Sequence, residues 1–423
     1  MIPAPFAPVN NHNSNLTQPA HRHIDLLGDM HLQRQILEHW INHLSDALMP
    51  VPGPYNPLKS IFVPIAYVGA EQPASSSSGY VALFYLICAS SAFHLSANTD
   101  DSKQSSEFMT LALSHHNEGI RHLQNNLAKD DVSERESVLA SLLVCLMYEP
   151  VTVEQNFWRN HLRGASQWLR KIDGCSLIQT ESMAILYQMF ASTAIFLRSQ
   201  MISSEAALSE CISYDTGLFS GTYHLHRIFG LPKRLLETVS DIIEIAARSR
   251  RQASDDRRSP TQLISTQELD KRELELYLCA PEYPEDFTSK AENGLIYHHS
   301  YIFYFALIIY FKRVLRKLPL HEVQLLIDQA FDHIEALKAY TSRPFTPLTW
   351  PVAVIFFELE DAALQKRAME WLEFIIKRST LSVWERAQAL FPAFWARRQD
   401  PGCEDMQWDV FLDDPSVHGI MMF

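Results

Sequence analysis

The chain has 423 residues, a formal net charge of −13 at pH 7, 47% apolar residues and only 13 glycines. Such an acidic balance opposes nonspecific attraction to polyphosphate, which needs a concentrated Lys/Arg surface. Scarce glycine and few alternating apolar and polar runs exclude a sheet-based body, so the expected class is all-α, a multi-helix array with no sheet of consequence.

Residues 1–22 carry neither a basic n-region nor an apolar h-region, and read as a flexible Pro/Asn-rich leader rather than a secretory signal. An N-terminal helical half is expected over 23–247. Its first helix is set by Leu37, Trp40, Ile41, Leu44 and Leu48, and the prolines of MPVPGPYNP stop it. A short helix in LKSIFVPIAYV follows, then a flexible, exposed loop PASSSSG. From Tyr80 to Leu95 the chain is apolar on nearly every side, as a helix surrounded by others must be. Between Phe108 and Leu127, His115 shares the apolar stripe. Ser133 and Glu136 have capping-box spacing, which starts a helix running to Glu149 before Pro150.

The stretch Phe157 to Ile172, FWRNHLRGASQWLRKI, places Trp158, Leu162, Ala165, Leu169 and Ile172 on one face and Arg159, Arg163 and Arg170 on the other. Gly164 interrupts it at a cost of about 1 kcal/mol relative to Ala, for which close approach of another backbone is the expected reason. Further helices are expected at Glu181–Arg198, Pro232–Ala247, Thr266–Leu278, Ala291–Lys317, Glu322–Tyr340, Val352–Lys377 with one break, and Val383–Arg397. The tail, with Trp408, Phe411, Ile420, Met421, Met422 and Phe423, should dock on the body. The most apolar candidate for a membrane span is interrupted by His298, His299 and Ser300, and its uninterrupted part, Tyr301 to Phe311, falls short of the ~20 residues a span needs.

Between the two halves, 248–260 (RSRRQASDDRRSP) has no apolar face and reads as a basic flexible linker. Its Arg248, Arg250, Arg251, Arg257 and Arg258 form a candidate nuclear-import patch, with Ser254 and Ser259 as phosphorylatable charge switches, against the plainer reading of a solvated loop. A C-terminal helical half is expected over 261–423.

Candidate chemistry is thin. Asp130, Asp131 and Glu134 in DDVSE match the acid-rich run with which all-α isoprenoid synthases hold Mg²⁺. No second such motif accompanies it, and acids at a helix start are explained by the macrodipole. His115, His116, Glu118 and His122 lie close in sequence but lack the H-E-x-x-H spacing, and His116 points about 100° away from His115. His161, His224, His226, His298 and His299 likewise read as packing or surface residues. The aromatics Tyr301, Phe303, Tyr304, Phe305, Tyr310 and Phe311 read as core, with an apolar ligand cavity as the alternative. No G-x-S-x-G elbow, phosphate loop or C-x-x-C pair is present. The six cysteines stand far apart, and Cys88, Cys145 and Cys279 sit in apolar helical patterns as reduced core thiols. No metal, cofactor or catalytic residue is therefore expected.

One resemblance covers most of the chain, from Leu37 to Phe423. Its pieces are LEHWINHLSDAL with NPLKSIFVPIAY, the helix ending AFHLSA, ALSHHNEGIRHLQNNL, SVLASLLVCLMYEP, and FWRNHLRGASQWLRKI with its W-x-x-H-L-x-G-A pattern. GLPKRLLETVSDIIEIA, YIFYFALIIYFKRVL, LTWPVAVIFFELED and QWDVFL follow in order. In these pieces the chain resembles the fungal-specific transcription factor domain found C-terminal to Zn₂Cys₆ clusters. The resemblance implies an all-α regulatory array without a catalytic centre, in a nuclear protein. Its partners would be other transcription factors, a second copy or a small-molecule effector, with no membrane.

By the same resemblance Trp158, His161, Leu162 and Gly164 are signature packing residues. The C-x₂-C-x₆-C repeat that a zinc cluster requires is absent from this sequence, so no such cluster and no DNA contact by that route are expected. A lost module, a missing upstream exon or a partner bound to DNA would each account for that. The alternatives are an Mg²⁺-dependent isoprenoid enzyme and a non-nuclear helical scaffold.

Overall fold

Two helices without a polar face organise the molecule: Gly79–Ala97 in its first half and Ala291–Tyr310 in its second. A computed structural model describes residues 21–27, 30–129, 131–147, 157–172, 177–200, 221–254, 265–282, 291–340 and 346–412, with 414 and 417. It is all-α. Among the described residues the sole β-type pairing is an isolated bridge between Arg22 and Pro73.

In chain order the helices are α1 (Met30–His39), α2 (Phe62–Glu71), α3 (Gly79–Ala97), α4 (Ser102–Leu127), α5 (Arg135–Met147), α6 (Phe157–Leu169), α7 (Glu181–Gln200) and α8 (Leu225–Phe229). They continue as α9 (Lys233–Ser254), α10 (Thr266–Tyr277), α11 (Ala291–Tyr310), α12 (Gln324–Ala336), α13 (Thr349–Phe357), α14 (Ala362–Ile376), α15 (Val383–Arg397) and α16 (Trp408–Leu412). A π-helical turn extends α1 over Trp40–Leu44, and another extends α11 over Phe311–Leu315. The break expected between Val352 and Lys377 falls at 358–361, where the Asp361 carboxylate accepts the first free amides of α14 from Ala363 and Leu364.

Helix α3 is buried from end to end because α1, α2, α4 and α5 enclose it. Close approach is built in by glycine. A Cβ on Gly69 of α2 would lie 2.1 Å from the Tyr80 carbonyl oxygen, and one on Gly119 of α4 would lie 2.7 Å from Leu86 Cγ. The PASSSSG segment is not the flexible exposed loop its composition suggests. Ser78 is buried and caps α3 by accepting from Val81 N, Ser77 bonds His122, and the Ser76 carbonyl lies 3.1 Å from His23 Nε2.

Helix α5 likewise starts differently from its capping-box spacing. Asp131 accepts both the amide and the hydroxyl of Ser133 and caps a 3₁₀ turn, Val132–Glu134, that leads into the helix. An acid two residues earlier does the capping assigned to Ser133.

In the second half, α11 packs against α8, α9, α10, α12 and α13. With its π turn it forms a continuous stretch, Glu292–Leu315, that is long and apolar enough to cross a membrane, as is α3. Length is thus not what separates α11 from a span. Most of the surface of both helices is covered by the rest of this protein. The two halves share one apolar core from Ile36 to Leu412. Where they meet, Trp350 of α13 donates to Ser199 Oγ of α7 at 2.8 Å while its ring lies 4.6 Å from that of Phe196. The described part of the tail docks: Trp408 stacks on Phe357 at 5.8 Å, and Phe411 meets Phe394 at 5.0 Å. Ile420 to Phe423 lie outside the described residues.

Candidate functional site

Helix α6 carries the signature stretch. Its apolar face is fully used: Trp158, Leu162 and Ala165 have no exposed surface, and Ile172 closes the face just beyond the helix. The Arg159 guanidinium lies 4.5 Å over the Trp158 ring, so one of the three arginines set on the opposite face instead covers the edge of the buried one. His161 is half-buried, and burial followed by the neighbouring charge of His116 pulls its pKa down to about 4. A neutral imidazole beside the apolar face fits packing. Gly164 does not fit the backbone-approach expectation, since a Cβ there would meet nothing within 4 Å. The close contacts expected of it belong to Gly69 and Gly119.

The two described acids of DDVSE are each engaged at a helix start. Asp130 lies outside the described residues, Asp131 is occupied by Ser133, and Glu134 accepts from the Gly79 amide at 2.6 Å, compensating the N-terminus of α3. The histidines of α4 diverge. His115 is buried against Tyr85, whereas His122 bonds Ser77, stacks on Tyr85 and meets His23 edge-on. Glu118 pairs with Arg121. Among the described residues no group of three or more His, Cys, Asp or Glu is arranged to hold a metal ion. Cys88, Cys145 and Cys279 are buried free thiols, and burial holds the Cys145 thiol up at about 12.

The basic stretch is helical where it can be described. Helix α9 runs through Arg248, Arg250 and Arg251 to Ser254, so the flexible linker expected from 248 does not begin there. Arg248 is exposed and 4.0 Å from Glu244, one turn back. Arg257, Arg258 and Ser259 of the candidate import patch lie outside the described residues.

The aromatic helix α11 is core, as in the first of its two readings. Phe303 stacks with Phe196, and Tyr310 sits between Trp350 and Trp408. An apolar cavity of about 50 Å³ does exist, but elsewhere, at the seam between the halves. Met49, Leu143, Met147, Met189, Phe229 and Leu348 line it. These residues come from five separate segments, so no local pattern in the sequence announces it.

Polar bonds also stitch this seam. His39 Nε2 lies 2.8 Å from His94 Nδ1, and His94 Nε2 lies 2.8 Å from Thr380 Oγ1, in the link between α14 and α15. Within the first half, Tyr55 bonds His224 Nδ1 at 2.9 Å. In the second half Glu358, itself buried, accepts from Arg313 at 2.9 Å and from Arg398 at 2.8 Å. Arg398 also donates to the carbonyls of Phe357 and Met406, and burial lowers its pKa despite Glu358.

None of these groups makes a nucleophile, base and oxyanion arrangement. The geometry is that of a helical body with a polar-stitched seam. Set beside known proteins, residues 35–423 match the family model described as fungal specific transcription factor domain. The chain is 26% identical over 121 residues to arginine metabolism regulation protein II of Saccharomyces cerevisiae, a match covering 28% of this chain and 14% of that one. No solved structure matches.

Proposed function

The chain belongs to the fungal specific transcription factor domain family, and from that premise we propose that it regulates transcription in the nucleus through protein association or effector sensing rather than by catalysis. The observation that carries this reading is the family match across nearly the whole helical body, joined to a core in which the candidate acids and histidines serve as caps and packing groups. The relative of known role is named as a regulator of arginine metabolism, and supports regulation without specifying the genes this chain would act on. Sequence-specific DNA contact, on this reading, is made outside the helical body, by another factor or module. Partners are other transcription factors or a second copy.

The test is tethering. Fused to a heterologous DNA-binding domain, the 423-residue chain should change expression of a reporter, and a tagged copy should concentrate in the nucleus. An unchanged reporter with normal protein levels would overturn the regulatory reading, and exclusion from the nucleus would favour a scaffold. Tight, sequence-specific gel-shift by the isolated chain would overturn the assignment of DNA contact elsewhere.

A further inference from the structure

The corner between α8 and α9 opens into a cleft of about 730 Å³, inside the ~300–1,000 Å³ usual for small-molecule sites. Its shape follows from the sequence. Gly230 ends α8 with φ +68, and a Cβ there would lie 2.5 Å from His299 Cβ and 3.1 Å from the Ile296 oxygen, so the corner seats directly on α11. Ser300 donates to the Gly230 carbonyl at 2.7 Å and fixes it there. Pro232 then starts α9. Arg227, at the end of α8, and Lys233 and Arg234, at the start of α9, consequently line one cleft, with Ile296 and Tyr297 of α11 as its apolar wall.

Two of the charges in this cleft, those of Arg227 and Arg234, are not offset by an ion pair among the described residues. Cations in the first turn of a helix oppose its dipole, whereas acids favour that end. Helix α9 has no acid in its first turn. Lys233 pairs with Glu237 at 3.8 Å. Among the described residues neither Arg227 nor Arg234 has an ion-pair carboxylate, whereas Arg316 and Arg367 each meet two. Glu282 is the single acid among the described lining residues. A chain of net charge −13 has therefore set on one cavity two arginines, Arg227 and Arg234, that meet no ion-pair carboxylate among the described residues. Breaches of a local rule of this kind are expected where a function is served.

We propose that the α8–α9 cleft binds a small organic anion, its carboxylate or phosphate held by Arg227 and Arg234 and its apolar body laid against Ile296 and Tyr297. Two arginines suit planar, forked recognition of either anion. The claim concerns binding, and it stands or falls separately from the regulatory reading.

Calorimetric titration of the full chain with phenyl phosphate, benzoate and uncharged benzyl alcohol tests it. At least one of the two anions should bind saturably, one per chain, and the alcohol should not. The tighter of the two identifies the anionic group. The double variant Arg227→Ala/Arg234→Ala should bind at least about tenfold more weakly, the loss expected for charge-assisted hydrogen bonds. Both side chains are exposed, so its thermal melting should be unchanged, while Lys366→Ala on a distant exposed face should bind normally. Should the double variant melt early, single Arg234→Gln provides the comparison. The site is overturned if neither anion binds saturably, if benzyl alcohol binds equally well, or if the folded arginine variant retains full affinity.

Discussion

Two regions of the body, the surroundings of α3 and the end of α11 with α13 and α15, solve the same problem, burying polar groups at helix junctions, with different chemistry. The first region uses neutral imidazoles and hydroxyls: His39 with His94 and Thr380, His122 with Ser77, His23 with Tyr85. In the second, Glu358 sits between Arg313 and Arg398 with all three buried, while Glu273 ties Lys312 and Arg316 to α10. Neutral pairs avoid the desolvation cost of charge but fail when protonated. Ion pairs tolerate acid as long as the carboxylate stays ionised, but strand a buried charge when one partner is removed. The His94–Thr380 bond, which crosses the seam, is of the neutral kind, whereas the Arg313–Glu358–Arg398 group lies within the second half.

The largest expected effect follows from the ionic side. Glu358→Ala leaves two buried guanidiniums facing each other and should destabilise the protein by about 3–5 kcal/mol. Denaturant unfolding of the variant measures this. A loss under about 1 kcal/mol would show that water or rearranged carbonyls solvate the pair, and the contrast between the regions would weaken.

The neutral side predicts an acid response. Burial is the main cause that lowers His39 to about 3 and His94, His115 and His122 to about 4, below the ~6.5 of an unfolded histidine. The unfolded chain then binds more protons than the folded one across that interval. Stability from these groups is complete above pH ~6.5 and declines as pH falls toward about 4. Melting temperature should drop across that window, and His94→Gln should make the drop shallower. An identical slope in the variant would remove His94 from the account.

These features differ in how far the sequence reveals them. Helices are legible wherever apolar residues repeat at helical spacing, as in α4 and α12, because burial alone fixes such a pattern. The start of α5 differs from its capping-box spacing because Asp131 binds both the amide and the hydroxyl of Ser133, which starts the turn two residues earlier, and only geometry decides between the two caps. The end of α9 was set too early because a segment without an apolar face can still be helical. Arg, Gln and Ala are good helix formers, and Glu244 lies one turn before Arg248. The Arg313–Glu358–Arg398 group and the cleft at Arg227 and Arg234 join residues from separate helices. No local signal marked either.

Glycine gives the smallest effect and the sharpest contrast. Intrinsic propensity treats Gly69 and Gly164 alike, each costing its helix about 1 kcal/mol relative to Ala. Their surroundings differ. A methyl on Gly69 would press into the Tyr80 backbone at 2.1 Å, and backbone cannot swing aside as a side-chain tip can. Gly69→Ala should thus separate α2 from α3 and cost about 1–3 kcal/mol. At Gly164 the methyl enters open space, so Gly164→Ala should gain up to about 1 kcal/mol, and even Gly164→Leu should leave thermal stability intact. If Gly164→Ala melts lower than the parent chain, the open side of α6 is covered in solution. Association through the signature helix would then explain the loss, and melting at several protein concentrations would separate that from a local packing fault.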